Sequence, residues 1–164
     1  MFTEIDTLHV RRSIFVNATP ARVWQEFESF ERIIGWFDRG HIVHELTPHI
    51  GARVDMSIDR GDHHPGSEEE RAHFVGSVLS VIPNQELTFE TNFSLNPMPA
   101  PTKWTFRLSA LEKGTLVEFF HHGYEAFGDS AADALQDFES AWDMKHLNAL
   151  RKVIENGRVN EGDA

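Results

Sequence analysis

Along LHVRRSIFV, residues 8–16, the apolar residues Leu8, Val10, Ile14 and Val16 fall on alternate positions, the period of a strand with one buried face; Arg12 shares their parity. Asn17, Ala18, Thr19 and Pro20 then supply an N-cap followed by proline at the first helical position, and Val23, Trp24 and Phe27 recur at helical spacing. Phe30, Ile33, Ile34, Trp36 and Phe37 predict a second short helix ending near Gly35.

From residue 41 the period changes to two and stays there to residue 122, in segments bounded by turn formers. In 51–60, Val54, Met56 and Ile58 oppose Arg53, Asp55, Ser57 and Asp59; in 85–93, Leu87, Phe89 and Thr91 oppose Glu86, Glu90 and Asn92. In 103–109, Trp104, Phe106 and Leu108 oppose Lys103, Thr105 and Arg107, and in 115–122 placing Glu118 outside sends Val117, Phe119 and His121 inward. Placing Glu45 outside in 41–46 turns Ile42, His44 and Leu46 inward, whereas 72–82 is apolar on both parities and its facing stays open. Successive strands with short joins predict an antiparallel meander. GDHHPGSEE, 61–69, and SLNPMPAP, 94–101, read as mobile loop tips.

The chain closes on a predicted long helix, capped near Asp129 or Ser130 and stopped at Asn156 and Gly157. Leu135, Phe138, Trp142, His146, Ala149 and Val153 share one stripe of it. The fold class is therefore α+β: a curved antiparallel sheet of about seven strands around a long C-terminal helix, with two short helices after the first strand. Such a sheet and one helix leave space between them, so an internal pocket is expected. Residues 1–157 read as one domain and 158–164, ending EGDA, as a flexible acidic tail.

Composition narrows the partners. Fifteen basic against 26 acidic side chains give a formal charge of −11, which argues against nucleic acid and anionic membrane surfaces. With no cysteine, disulfides, thiol catalysis and thiolate metal sites are excluded. No window approaches the roughly 20 apolar residues of a membrane span and the N-terminus has no leader pattern, so a cytoplasmic location without membrane insertion is expected.

IFVNATPARVW, 14–24, followed by ERIIGWF, 31–37, resembles the opening signature of the START-like helix-grip (SRPBCC) superfamily, and within it the activator of heat-shock-protein-90 ATPase homologue family. Gly51 opening a strand, Gly76-Ser-Val78 with Val81-Ile-Pro83 and Leu87, Gly114-Thr115, His121-His-Gly123, and Trp142 with Leu147 and Leu150 extend the resemblance over about residues 8–157. Ile50 and Ala141 depart from positions where relatives often carry glycine. The resemblance implies the helix-grip fold, in which relatives include ligand carriers, aromatic cyclases and a co-chaperone domain.

His146 stands out as an imidazole in the middle of the buried helical stripe, where it is either a hydrogen-bonded core residue or a ligand contact. Glu139-x3-Asp143-x2-His146 has a spacing that fits a metal, but the carboxylates also mark the helix's solvent border. His121 also faces inward. It lies near the end of the last strand and so near the start of the long helix, and His146 stands roughly 25 Å beyond that start, so the two should not share a metal. His63 and His64 lie in a Gly/Pro-rich loop and read as solvated. Arg12 is an anchor for a ligand carboxylate or a partner for a protein group. Phe89, Trp104, Phe106, Phe119, Phe138 and Trp142 supply the core, and a subset lines the pocket. No metal or cofactor is expected, and no nucleotide, nucleophile-elbow or zinc-protease motif is present in the sequence.

These residues favour binding of a small, mainly apolar molecule over catalysis. A cyclase- or hydrolase-type enzyme using His146, His121 or Arg12 is the alternative. The resemblance alone implies a third, an interaction module acting on a chaperone ATPase, and a homodimer is compatible with the chain.

Overall fold

In the computed structural model, which describes residues 3–58 and 73–156, the chain runs β1 (His9–Val16), α1 (Pro20–Trp24), a 3-10 turn (Gln25–Phe27), α2 (Phe30–Phe37) and β2 (His41–Leu46). It continues through β3 (Arg53–Ile58), β4 (His73–Ile82), β5 (Glu86–Phe93), β6 (Thr102–Leu111) and β7 (Gly114–His122). A second 3-10 segment (Tyr124–Ser130) leads to α3 (Ala131–Ala141) and α4 (Lys145–Asn156). The loop histidines His63 and His64 and the C-terminal tail lie outside the described residues. The strands form one curled sheet in the order β1-β7-β6-β5-β4-β3-β2, every neighbouring pair antiparallel. β2 to β7 make the expected meander, and β1 joins it beside β7, so α1 and α2 carry the chain from one edge of the sheet to the other.

The helix starts follow local chemistry. Thr19 Oγ1 accepts the Arg22 N–H at 3.2 Å with Pro20 at the first position of α1, and Ser29 Oγ accepts the Arg32 N–H at 3.2 Å to open α2. α2 runs through Gly35 rather than ending there, because Trp36 and Phe37 bury themselves in the core and the helix stops at Asp38. These helices and α4 press Trp24, Phe27, Ile33, Trp36, Phe37, Leu147 and Leu150 onto the inner sheet face, where they meet Val54, Met56, Phe89, Phe106 and Phe119.

Two bulges account for the strands whose alternation was unclear. In β4 the pairing shifts between Val78 and Ser80, so Val78 opposite Phe89 and Val81 opposite Leu87 both face the core while Leu79 is exposed. In β2 the shift lies between Val43 and Glu45. The expected facing of β2 is therefore corrected: Val43 and Leu46 are buried, and His44 points to the outer face. Gly76 is a packing requirement, since a Cβ there would stand 1.8 Å from the Glu90 carbonyl oxygen across the β4–β5 pair.

Glu86 overturns its assignment to the wet face, being fully buried. The N-terminal segment crosses the outer face, and Glu86 accepts the Thr3 N–H at 3.0 Å and the Thr3 hydroxyl at 2.6 Å. The Ser80 hydroxyl donates to it at 3.2 Å, and Arg107 Nη2 lies at 3.4 Å. Beside it Thr88, Thr105 and His122 form a buried chain of hydrogen bonds, 2.9 Å at each link, with Asp6 at 3.3 Å from His122 Nδ1. The outer face of the central strands is thus a second, polar interior.

The C-terminal helix is long but interrupted. Trp142 takes an extended conformation (φ −82°, ψ 135°), ending α3, and the Asp143 carboxylate accepts the Lys145 N–H at 2.9 Å to start α4. Arg12 holds the break from β1. Its guanidinium donates to the Glu139 and Trp142 carbonyls, both at 3.1 Å, and to the Glu139 carboxylate at 3.1 Å. The single stripe expected along one helix is consequently divided: in α4 the buried residues are His146, Leu147 and Leu150, while in α3 the buried residue is Ala131.

Replacing Glu86 by alanine removes the acceptor that Thr3, Ser80 and Arg107 share, so Glu86→Ala is expected to cost about 3–5 kcal/mol in urea unfolding. Thr3→Val, which retains the carboxylate, is expected to cost about 1 kcal/mol.

Candidate functional site

A cavity of about 310 Å³ lies between the inner face of the sheet and the α3–α4 break. Its sheet wall comes from His41 at the start of β2, Ile58, Phe74, Thr91, Phe93, Trp104 and His121; its helical wall comes from Phe138, Ala141, Trp142, Asp143, Lys145 and His146. The walls are aromatic by sequence and by geometry. Trp142 stacks on His41 with centroids 5.7 Å apart and meets Trp104 edge-on at 5.1 Å, while His121 packs on Phe138 at 4.6 Å. Trp104 Nε1 donates to Thr91 Oγ1 at 3.0 Å, so its one polar atom is satisfied within the wall.

Three imidazoles share this space, each held neutral by its surroundings. Burial pushes His121 down to about 3, with His122 and His41 nearby adding to the shift. Burial also lowers His146 to about 3 and His41 to about 4; the Asp143 carboxylate opposes both shifts without overcoming them. His41 Nδ1 lies 3.3 Å from His146 Nε2, so in the neutral pair one ring donates and the other accepts. His121 Nδ1 hydrogen-bonds the hydroxyl of Tyr124, whose own pKa is raised by burial and by Glu139. At the cavity mouth stand the exposed side chains of Arg39 and Lys145.

Among the residues singled out from sequence, Trp104, His121, Phe138, Trp142 and His146 line the cavity together. Phe89 is core, stacked on Trp104 with centroids 5.3 Å apart, and Phe106 and Phe119 border a separate 10 Å³ void. Arg12 reaches that small void while its guanidinium is taken up by α3. The expected separation of His121 from His146 is corrected. Both touch Trp142, at 5.5 and 5.7 Å between centroids, because the 3-10 segment after Gly123 and the break at Trp142 fold the C-terminal helices back over the sheet. The Glu139/Asp143/His146 spacing does not become a chelate: Glu139 pairs with Arg12, and Asp143 caps α4. His41, the partner of His146, escaped the sequence reading because counting parity back across the bulge assigned it to the wrong face.

A family model described as Activator of Hsp90 ATPase homolog 1-like protein matches residues 17–155. Among solved structures, protein MLL2253 from Mesorhizobium loti is 19% identical with a TM-score of 0.65, the match covering 90% of this chain and 96% of that one. The Aha1 dimer from Colwellia psychrerythraea is 18% identical with a TM-score of 0.60, over 93% and 99% of the two chains. DynU16, from the dynemicin biosynthetic locus, is 18% identical with a TM-score of 0.62; 93% of this chain covers 49% of that one. No curated protein matches in sequence. At these identities the structures share the fold.

The buried histidines give stability a defined pH dependence. Their folded pKa values lie below the ordinary 6.5, so the unfolded chain binds more protons, and stability falls as pH drops from about 6.5 toward 3. Each such group contributes up to about 1.4 kcal/mol per pH unit within that window. Urea unfolding of His121→Phe from pH 7 to pH 4 is expected to show a shallower decline than the parent.

Proposed function

The chain belongs to the Activator of Hsp90 ATPase homolog 1-like protein family, and we propose that this member binds a compact, mainly apolar molecule carrying an acidic or hydroxyl head group. The observation that carries the reading is the His41–His146 pair set into an otherwise aromatic cavity. The rings supply dispersion and apolar burial along the body of the ligand, and the 310 Å³ volume is at the small end of ligand sites. One imidazole N–H is available to turn from its partner to a ligand oxygen, as both rings line the cavity and remain neutral. Arg39 and Lys145 at the mouth complement an acid.

The same electrostatics weigh against acid–base catalysis at neutral pH. Imidazoles with pKa values near 3 and 4 are weak bases, far from the near-neutral value that proton transfer favours. Binding therefore accounts for the site better than a cyclase- or hydrolase-type reaction. The acidic surface and the fold leave a chaperone-directed role resting on the family name alone. A homodimer fits the family, one of whose structural neighbours is described as a dimer.

Titration calorimetry with octanoate, a monoaromatic acid and an alkylbenzene tests the reading. Saturable uptake is expected, with the acids bound through the histidine pair. In a His41→Leu/His146→Leu double variant, which removes both polar rings together, acid binding should weaken by about 1–3 kcal/mol while alkylbenzene binding is retained. Absence of saturable uptake across the panel by the folded parent would refute the proposal.

A further inference from the structure

We propose that His44, Asp55 and His73 form a site for one divalent transition ion of the zinc class on the outer face of the sheet, separate from the cavity. Each of the three side chains offers one ligating atom, and these atoms lie within 4.8 Å of one another. Donors about 2.1 Å from a tetrahedral ion are about 3.4 Å apart, so small side-chain rotations close the set. Two imidazoles and one carboxylate are borderline donors that suit zinc, cobalt, nickel or copper, and the exposure of His44 leaves room for water to complete the shell.

The backbone builds this juxtaposition. His44 is the extra residue at the β2 bulge, between Val43 paired with Met56 and Glu45 paired with Asp55. Following the inward Val43 it points outward, over the β3 face that carries Asp55 and Ser57. His73 stands opposite Ser57 on β4, diagonal to Asp55. Three adjacent strands thus contribute one ligand each.

Surrounding contacts already orient the ligands. His44 Nε2 is hydrogen-bonded to the buried Ser57 hydroxyl at 2.9 Å, and the His44 and His73 rings stack at 5.0 Å, 17° from parallel. His73 Nδ1 lies 2.8 Å from Asp55 Oδ1, while Arg53 pairs with the other oxygen, Oδ2, at 3.5 Å. An ion can therefore replace the proton that His73 shares with Asp55 without displacing Arg53. The expectation of no metal rested on the absence of cysteine and on dispersed inward histidines; it does not reach this site, because His44 lies on the outer face and a histidine–carboxylate set needs no thiolate. The ion would pin the edge strand β2, which carries His41 on the cavity side three residues earlier.

Isothermal titration of the full, chelator-treated chain with zinc chloride tests the proposal. One ion per chain is expected, with binding weakened at least about tenfold in His44→Ala and in Asp55→Asn, and unchanged in His63→Ala/His64→Ala and in His146→Leu. Thermal unfolding of the metal-free variants verifies that each remains folded; His44 is exposed and its truncation leaves the core intact. No stoichiometric binding by the parent, or binding that persists undiminished in folded His44→Ala and Asp55→Asn, would overturn the site.

Discussion

The cavity depends on the hydrogen bonds by which Arg12 holds the end of α3. A helix that continued from residue 131 to 156 would be straight along its length and would lay its apolar stripe on the sheet in one line. Instead the Glu139 and Trp142 carbonyls, which have no helical partners at a C-terminus, receive the guanidinium from β1, and Asp143 begins a new helix. Both ends created by the break thereby gain hydrogen-bond partners. The break turns Trp142 into the hinge of the aromatic wall, touching His41, His121 and His146 at once.

A second constraint works from the other side of the sheet. β5, β6 and β7 are buried on both faces, by helices within and by the N-terminal segment without, so their outer residues must satisfy each other. Glu86 gathers Thr3, Ser80 and Arg107, and Thr88, Thr105 and His122 pass hydrogen bonds across three strands. A hydroxyl, an imidazole and a carboxylate stand in line there, but Thr105 and His122 are fully buried, so the arrangement holds the fold and meets no substrate. With the central strands fixed, Trp104 and His121 are presented to the cavity from a rigid wall.

The β2 edge is where the two faces communicate. His41 and His44, three residues apart, serve opposite faces by ordinary strand alternation, and the bulge after Val43 leaves His44 and Glu45 both outside while returning Leu46 to the core. The cavity's polar pair and the outer cluster of His44, Asp55 and His73 thus draw on the same short strand, each completed by a neighbouring element: α4 within, β4 without.

Local chemistry in the sequence determined the class of fold, the strands, the two capped short helices and the aromatic content of the site, because period, caps and turn residues act within a few positions. The family resemblance drew on the same short segments, and Trp104, His121, Phe138, Trp142 and His146 were legible as inward residues by parity or helical stripe. What joined them was decided only in three dimensions. Glu86 reads as a surface carboxylate until the N-terminal segment crosses it, Arg12 as a ligand anchor until α3 offers its carbonyls, and His41 as outward until the bulge is seen. Continuous helical periodicity likewise put His121 and His146 far apart. Each difference has one physical origin: burial and hydrogen-bond satisfaction are set by segments distant in sequence, and a single irregular residue reverses every parity count beyond it.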